Sequence, residues 1–330
     1  MKNIIITGGA GYIGSHCVIS LVNNGYIPII LDNFSNSHLA VIKKLEKITK
    51  KKIIFYKVDL RDKSKMKSIF NKHSCYSVIH CAGLKSVPES IKIPISYLDN
   101  NIQSTLSLLK CMEEKKIFKL IFSSSATVYN SKQSLPFKEN SNIGKTVNPY
   151  GNSKYIIERI LNDVVQSDRR WKIGIARYFN PIGNHHSGLI RESPKSISTN
   201  LLPYILKVAK KKLPYLRVYG KNYNTRDGTC IRDYIHVMDI ANGHIAILKN
   251  YMRIRGIEIY NFGSGKGFTV LEIVRLFEKE TGIHIPIKFV NRRKGDAPVS
   301  FCSPSKALHQ LSWRPIYSLE QAMIDIKEII

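Results

Sequence analysis

The sequence predicts an α/β protein: a doubly wound parallel sheet followed by a smaller, mixed α/β domain toward the C-terminus. Three observations carry this. A β-branched strand at residues 2–7 runs straight into a glycine-rich turn at 8–14 and then a helix. Strand-like and helix-like stretches keep alternating to about residue 123, as a parallel sheet with helical crossovers requires. Beyond about residue 180 the alternation lapses, and Pro181, Pro203 and Pro214 punctuate shorter elements.

Each element follows from local pattern. Residues 15–24 repeat apolar side chains at helical spacing, and Gly25 ends the run. A second strand is expected at 27–31, then a helix at 38–49, a strand at 53–58, a helix at 63–72 and a strand at 77–80. A long helix at 94–115 and a strand at 119–123 complete the regular part, and 270–281 is an amphipathic helix. We expect residues 1–180 to form the first domain, with 235–265 returning to it. Residues 181–234 and 266–330 would form the second.

Composition excludes several classes. The chain has 330 residues, 43% of them hydrophobic, enough for a large core. No apolar run approaches the roughly 20 residues that span a bilayer. The N-terminus shows no signal-peptide pattern, so we expect a cytoplasmic protein with no membrane partner. The net charge is +27, yet the basic residues are spread along the whole chain, without an arm or a single basic helix. Lys outnumbers Arg more than twofold. Lys, Ile and Asn share A/T-rich codons, so the excess reads as base composition, and no nucleic-acid partner is expected. The six cysteines fall in no C-x-x-C pair, and no Cys/His group has zinc-site spacing. We expect reduced thiols and no metal.

Three motifs carry chemistry. The first is Gly8-Gly9-Ala10-Gly11-Tyr12-Ile13-Gly14. Glycines let the backbone turn tightly and approach a pyrophosphate at the positive N-terminus of the next helix. Asp32 ends the second strand, where a carboxylate accepts from an adenosine ribose and repels a 2′-phosphate. That favours NAD over NADP and a Rossmann-type domain. The second is Tyr150-x-x-x-Lys154, whose spacing puts both side chains on one helix face. A free phenol has a pKa near 10; lowering it by about 3 units requires roughly 4 kcal/mol. A neighbouring ammonium and a positive nicotinamide ring together would supply that. The third is Ser123-Ser124-Ser125 at the end of a strand, where ligands of open α/β sheets gather.

Together these motifs resemble the extended short-chain dehydrogenase/reductase family, and within it the nucleotide-sugar 4-epimerases. The resemblance runs through GGAGYIGSH at 8–16, AGLKSVPES at 82–90, IFSSSATVY at 121–129, ARYFNPIG at 176–183, RDYIHVMDIANGH at 232–244 and YNFGSG at 260–265. It implies reversible epimerisation of UDP-glucose and UDP-galactose at C4, through a 4-keto sugar and transient reduction of tightly bound NAD. It places Gly8, Gly11, Tyr12, Ile13 and Gly14 at the pyrophosphate. Asp32, Asn33, Phe34, Ser35, Asn36 and Ser37 would surround the adenosine ribose, with Asp59 and Leu60 at adenine. Cys81, Ala82, Gly83, Leu84, Lys85 and Asn100 would line the cofactor, with Phe179 near the nicotinamide. Ser125, Tyr150 and Lys154 would be catalytic and contact the cofactor, and Ser125 and Tyr150 would also contact the sugar. Asn180, Asn200, Leu201, Arg217, Val218, Tyr219, Arg232, Arg293, Asp296 and Ser300 would hold the UDP-sugar.

Asn130 and Lys294 depart from the commonest family pattern without removing a catalytic group. Ser300 stands where some members carry Tyr against the sugar. Either the pocket has space there and takes UDP-N-acetylhexosamines, or another side chain fills the gap. The resemblance also implies a homodimer formed by helices 94–115 and 150–168. Leu106, Leu109, Ile156, Ile160 and Val164 would supply apolar surface either to that face or to the core. Two other readings compete. A nucleotide-sugar dehydratase would need an acid pair beside Ser125 to expel the 6-hydroxyl; Ala126 and Thr127 follow it instead. A binding-only Rossmann-type protein would have no use for an intact Tyr150 and Lys154.

Overall fold

The computed structural model describes residues 1–192, 200–293, 296–327 and 330. Lys294 and Gly295 lie outside the described residues. In chain order the first part comprises β1 (Asn3–Thr7), α1 (Tyr12–Asn23), β2 (Ile27–Asp32), α2 (Ala40–Thr49), β3 (Ile54–Lys57), α3 (Lys63–Lys72) and β4 (Ser77–His80). There follow α4 (Val87–Lys92), α5 (Pro94–Glu114), β5 (Lys119–Ser125), α6 (Pro149–Ser167) and β6 (Lys172–Tyr178). The rest comprises β7 (Asn180–Ile182), α7 (Leu201–Ala209), β8 (Leu216–Tyr219), β9 (Ile231–Arg232), β10 (Tyr234–His236), α8 (Val237–Lys249) and β11 (Gly256–Phe262). Last come β12 (Phe268–Thr269), α9 (Val270–Thr281), β13 (Ile287–Val290), β14 (Val299–Ser300), α10 (Ser305–Leu311) and α11 (Leu319–Lys327).

Seven strands form one parallel sheet in the order β3-β2-β1-β4-β5-β6-β11. The chain winds outward from β1 to β3, then returns to place β4 on the other side of β1. Strand order therefore reverses between β1 and β4, and the loops that leave these two strands flank a crevice. The expected parallel sheet with helices on both faces is present.

The period-2 alternation of strand side chains builds two cores. Ile4 and Ile6 face one way, toward α1, α2 and α8, in a cluster with Ile30, Ile79 and Ile121. Ile5 faces the other, with Ile29, Val78, Leu120 and Phe122, toward α3, α5 and α6. Leu109 belongs to this second core, and Ile160 and Val164 pack against it. A third core joins α7, β8, α9 and α11 through Ile205, Val218, Phe277 and Met323. No helix among the described residues is long and apolar enough to cross a membrane.

The predicted boundaries shift for local reasons. The helix after the glycine turn starts at Tyr12, not residue 15. The stretch before the long helix contains the unpredicted α4, which Ser86 caps by accepting from the Glu89 amide at 3.4 Å. Ile93 and Pro94 then break and restart the helix.

Candidate active site

The cofactor loop is dictated by close backbone approach. Gly8 has φ +67°, a left-handed conformation, and a Cβ there would lie 2.8 Å from the Ala82 nitrogen. A Cβ on Gly14 would run into the carbonyl oxygen of Gly8. Gly11 is the N-cap of α1 and offers no side chain to cap it. The first amides of α1 are thus left for an anion. By contrast, α6 is capped by the Asn148 side chain, which accepts from the Gly151 amide at 2.8 Å.

One cavity of about 1340 Å³ opens along the carboxyl ends of the strands. It reaches from the α1 N-terminus across Ser125 and Tyr150 to Arg217, Arg232 and Arg293. Its wall includes every sequence-predicted site residue except Phe34. Phe34 has φ +57°, and its ring is buried in the core with an edge contact to Phe55 at 6.4 Å. The left-handed turn at Phe34 carries its side chain inward, away from the expected ribose site. Its amide donates to Asp32 at 2.8 Å.

Asp32 also accepts from the Ala10 amide at 3.0 Å and the Ser37 hydroxyl at 2.9 Å. Its carboxylate therefore fastens the loop it was expected to serve. Asp59 pairs with Arg61 at 3.0 Å. The Arg61 guanidinium holds the Asp59 carboxyl down to about 2.

The reacting centre is assembled by β5 and α6. Lys154 is buried, and its ammonium donates to the Ser123 carbonyl at 2.7 Å, with the ring of Phe122 4.8 Å away. Burial lowers its pKa to about 8. Ser125 accepts from the Thr127 hydroxyl at 3.0 Å and amide at 3.2 Å. Its oxygen stays fixed at the cavity wall. Removal of the Tyr150 phenol from water raises its pKa, opposed by a hydrogen bond with Ser125. Burial of Tyr150 thus opposes the phenolate, and a positive charge beside it favours that form. Asn101 ties the neighbouring loop to the same helix. Its side chain accepts from the Leu84 amide at 2.8 Å and donates to Ser153 at 3.0 Å.

Sequence reasoning missed several supporting groups. Glu158 and Arg177 form a buried ion pair at 2.6 Å. Glu158 also accepts from Ser124 at 2.5 Å. The pair locks α6, which also carries Tyr150, to β5 and β6. Glu192 pairs with Lys85 at 2.8 Å and accepts from Asn200 at 2.9 Å, joining the two sides of the cavity. Ser123, between Cys81 at 3.1 Å and Tyr178 at 2.8 Å, faces a thiol cluster. There the Cys17 thiol donates to Cys81 and holds it below the ordinary thiol range, helped by His244 and Ser123.

At the far end, Arg232 reaches Asp296 at 3.4 Å and Arg293 lies 3.8 Å over the Tyr219 ring. Paired guanidinium groups suit a diphosphate. Ser300, in β14, is aligned with Arg232 and lines the cavity. Arg217 is exposed at its rim.

A family profile described as GDP-mannose 4,6 dehydratase matches residues 5–326. A UDP-glucose 4-epimerase of Neisseria gonorrhoeae is 48% identical over 322 residues, covering 98% of this chain and 95% of that one. One from Dictyostelium discoideum is 47% identical over 323 residues, covering 98% and 94%. The crystal structure of the Bifidobacterium longum UDP-glucose 4-epimerase, in complex with NAD+ and UDP, superposes with a TM-score of 0.96. It is 44% identical and covers 99% of this chain and 97% of that one.

Proposed function

The chain belongs to the UDP-glucose 4-epimerases, and we propose that it interconverts UDP-glucose and UDP-galactose at C4 by way of a 4-keto sugar. The observation that carries this is the single cavity that brings the glycine cradle, Ser125, Tyr150, Lys154 and the guanidinium pair together. NAD fits the near half: the Gly8–Gly14 contact has no room for a side chain, and α1 has no side-chain cap. When bound, NAD supplies the hydride acceptor and donor for C4.

The remaining work falls to this chain's residues. Tyr150 takes the proton of the sugar 4-hydroxyl and later returns it to the 4-keto oxygen. Ser125, fixed by Thr127, orients that oxygen. Lys154 keeps an ammonium on the same helix face, which favours the phenolate. Arg232 and Arg293 hold the diphosphate while the hexose turns to present its other face. The dehydratase reading lacks its acid, since Ala126 and Thr127 follow Ser125. We assign residues 1–180 and 235–265 to cofactor binding and the remainder to the sugar nucleotide. A homodimer through α5 and α6, in the cytoplasm, completes the reading.

The test is direct. Denaturing the purified protein should release NAD in amounts comparable to the chain, and the native protein should convert UDP-galactose to UDP-glucose with no dinucleotide added. An absence of bound nucleotide, with no turnover, would overturn the assignment. Ser300 adds a specificity prediction. Serine leaves space that tyrosine would fill, so UDP-N-acetylglucosamine should also be epimerised. Turnover of UDP-glucose without any of UDP-N-acetylglucosamine would show the gap to be filled.

A further inference from the structure

Behind Ser123 lies a cluster the proposed reaction does not use. Cys17 sits on α1, Cys81 just after β4 and His244 on α8. Their ligand atoms all lie within 4.8 Å of one another. Cys17 and His244 are fully buried, while Cys81 reaches the wall of the cofactor cavity. The sequence separations explain why local spacing showed no such group. The sheet and its two flanking helices bring it together.

We propose that Cys17, Cys81 and His244 form a binding site for one thiophilic divalent cation of the zinc class, reached from the cofactor cavity past Cys81. The geometry suits it. Cys17 Sγ is 3.5 Å from His244 Nδ1, and a tetrahedral zinc with bonds of about 2.3 Å to sulfur and about 2.1 Å to nitrogen sets these atoms ~3.6 Å apart. Two sulfur ligands on such an ion stand ~3.8 Å apart, and with all three ligand atoms within 4.8 Å of one another the cluster contracts by about 1 Å at most.

The surrounding hydrogen bonds also suit it. Place the His244 ring proton on Nε2. Nε2–H then donates to the Tyr178 oxygen at 2.5 Å. The Tyr178 hydroxyl donates to Ser123 at 2.8 Å, and Ser123 donates to Cys81 Sγ at 3.1 Å. This chain of donors ends on a sulfur, as a thiolate ligand requires, and leaves the Nδ1 lone pair for the ion. The cost is the contact of Nδ1 with the Ile240 carbonyl at 2.9 Å.

Binding replaces two S–H bonds with two metal–sulfur bonds and releases two protons to water through the cavity. No oxidation state changes. The cation and two thiolates are neutral together, which suits a buried position. A water from the cavity would complete four-coordination.

The experiment uses the reduced protein as purified, with its nucleotide, titrated with Cd2+. We expect one ultraviolet cadmium–thiolate band saturating at one ion per chain. Cys17→Ser and Cys81→Ser should abolish it, and Cys75→Ser and Cys230→Ser should keep it. A measurement on the wild type alone guards against misfolded variants. X-ray absorption with one equivalent of Zn2+ should show two sulfurs at about 2.3 Å and two lighter atoms at about 2.0–2.1 Å. No band, a band unchanged in both Cys17→Ser and Cys81→Ser, or zinc with no sulfur neighbours overturns the proposal. So does a Cys17–Cys81 disulfide forming under mild oxidation in protein that binds no ion.

Discussion

Tyr150→Phe should lower kcat by about 10²–10⁴-fold, the range that a positioned acid–base group contributes. The substitution keeps the ring, and with it the packing at the start of α6, while removing the one oxygen proposed to carry the sugar proton. Arg232, Arg293 and Ser125 remain, so KM for UDP-galactose should change little. A fall in kcat and in kcat/KM together marks an interaction made in the transition state. Lys154→Met is the companion measurement. Burial already raises the Tyr150 phenol, so loss of the neighbouring ammonium should move the acid limb of the pH–rate profile to higher pH. A Tyr150→Phe enzyme with turnover near the wild type would exclude Tyr150 as the base.

Arg177→Met should destabilise the folded protein by about 3–5 kcal/mol, read from urea unfolding. Side-chain exposure of Arg177 and Glu158 is 1% and 4%, so neither charge has water to fall back on. Glu158 accepts from Arg177 at 3.0 and 2.6 Å and from Ser124 at 2.5 Å. Without Arg177 it keeps one hydroxyl partner and a buried charge. The double variant Arg177→Met, Glu158→Leu removes both charges and should recover much of the loss. A single variant within about 1 kcal/mol of wild type would show that water or other groups solvate Glu158. Because α6 carries Tyr150 and rests on this pair, the single variant should also lose activity more than the double.

The fold was legible because its signals are local and periodic. Ile4, Ile5 and Ile6 form a β-branched run, ended by a glycine turn, that suits a strand buried on both faces, and both cores claim it. Gly8, Gly11 and Gly14 announce a backbone approach, and the Ala82 nitrogen and the Gly8 oxygen are the atoms approached. Tyr150 and Lys154 gained meaning only from what preceded them in the chain.

What escaped the sequence depends on long-range packing or on backbone sign. The family resemblance puts Phe34 at the ribose with Asn33 and Ser35, yet its φ is left-handed and its ring lies in the core. Glu158 and Arg177 lie on a helix and the next strand, and nothing in their spacing marks a buried pair. Cys17, Cys81 and His244 come from three separate elements. The α4 helix was hidden because it is short and ends at Ile93, just before Pro94.

The central claim is that the hydrogen removed from C4 returns to C4. UDP-galactose carrying deuterium at C4 tests it, with the purified protein in ordinary water and no added dinucleotide. The account predicts UDP-glucose that retains the deuterium at C4. Deuterium lost to water, with protium at C4 of the product, would contradict it.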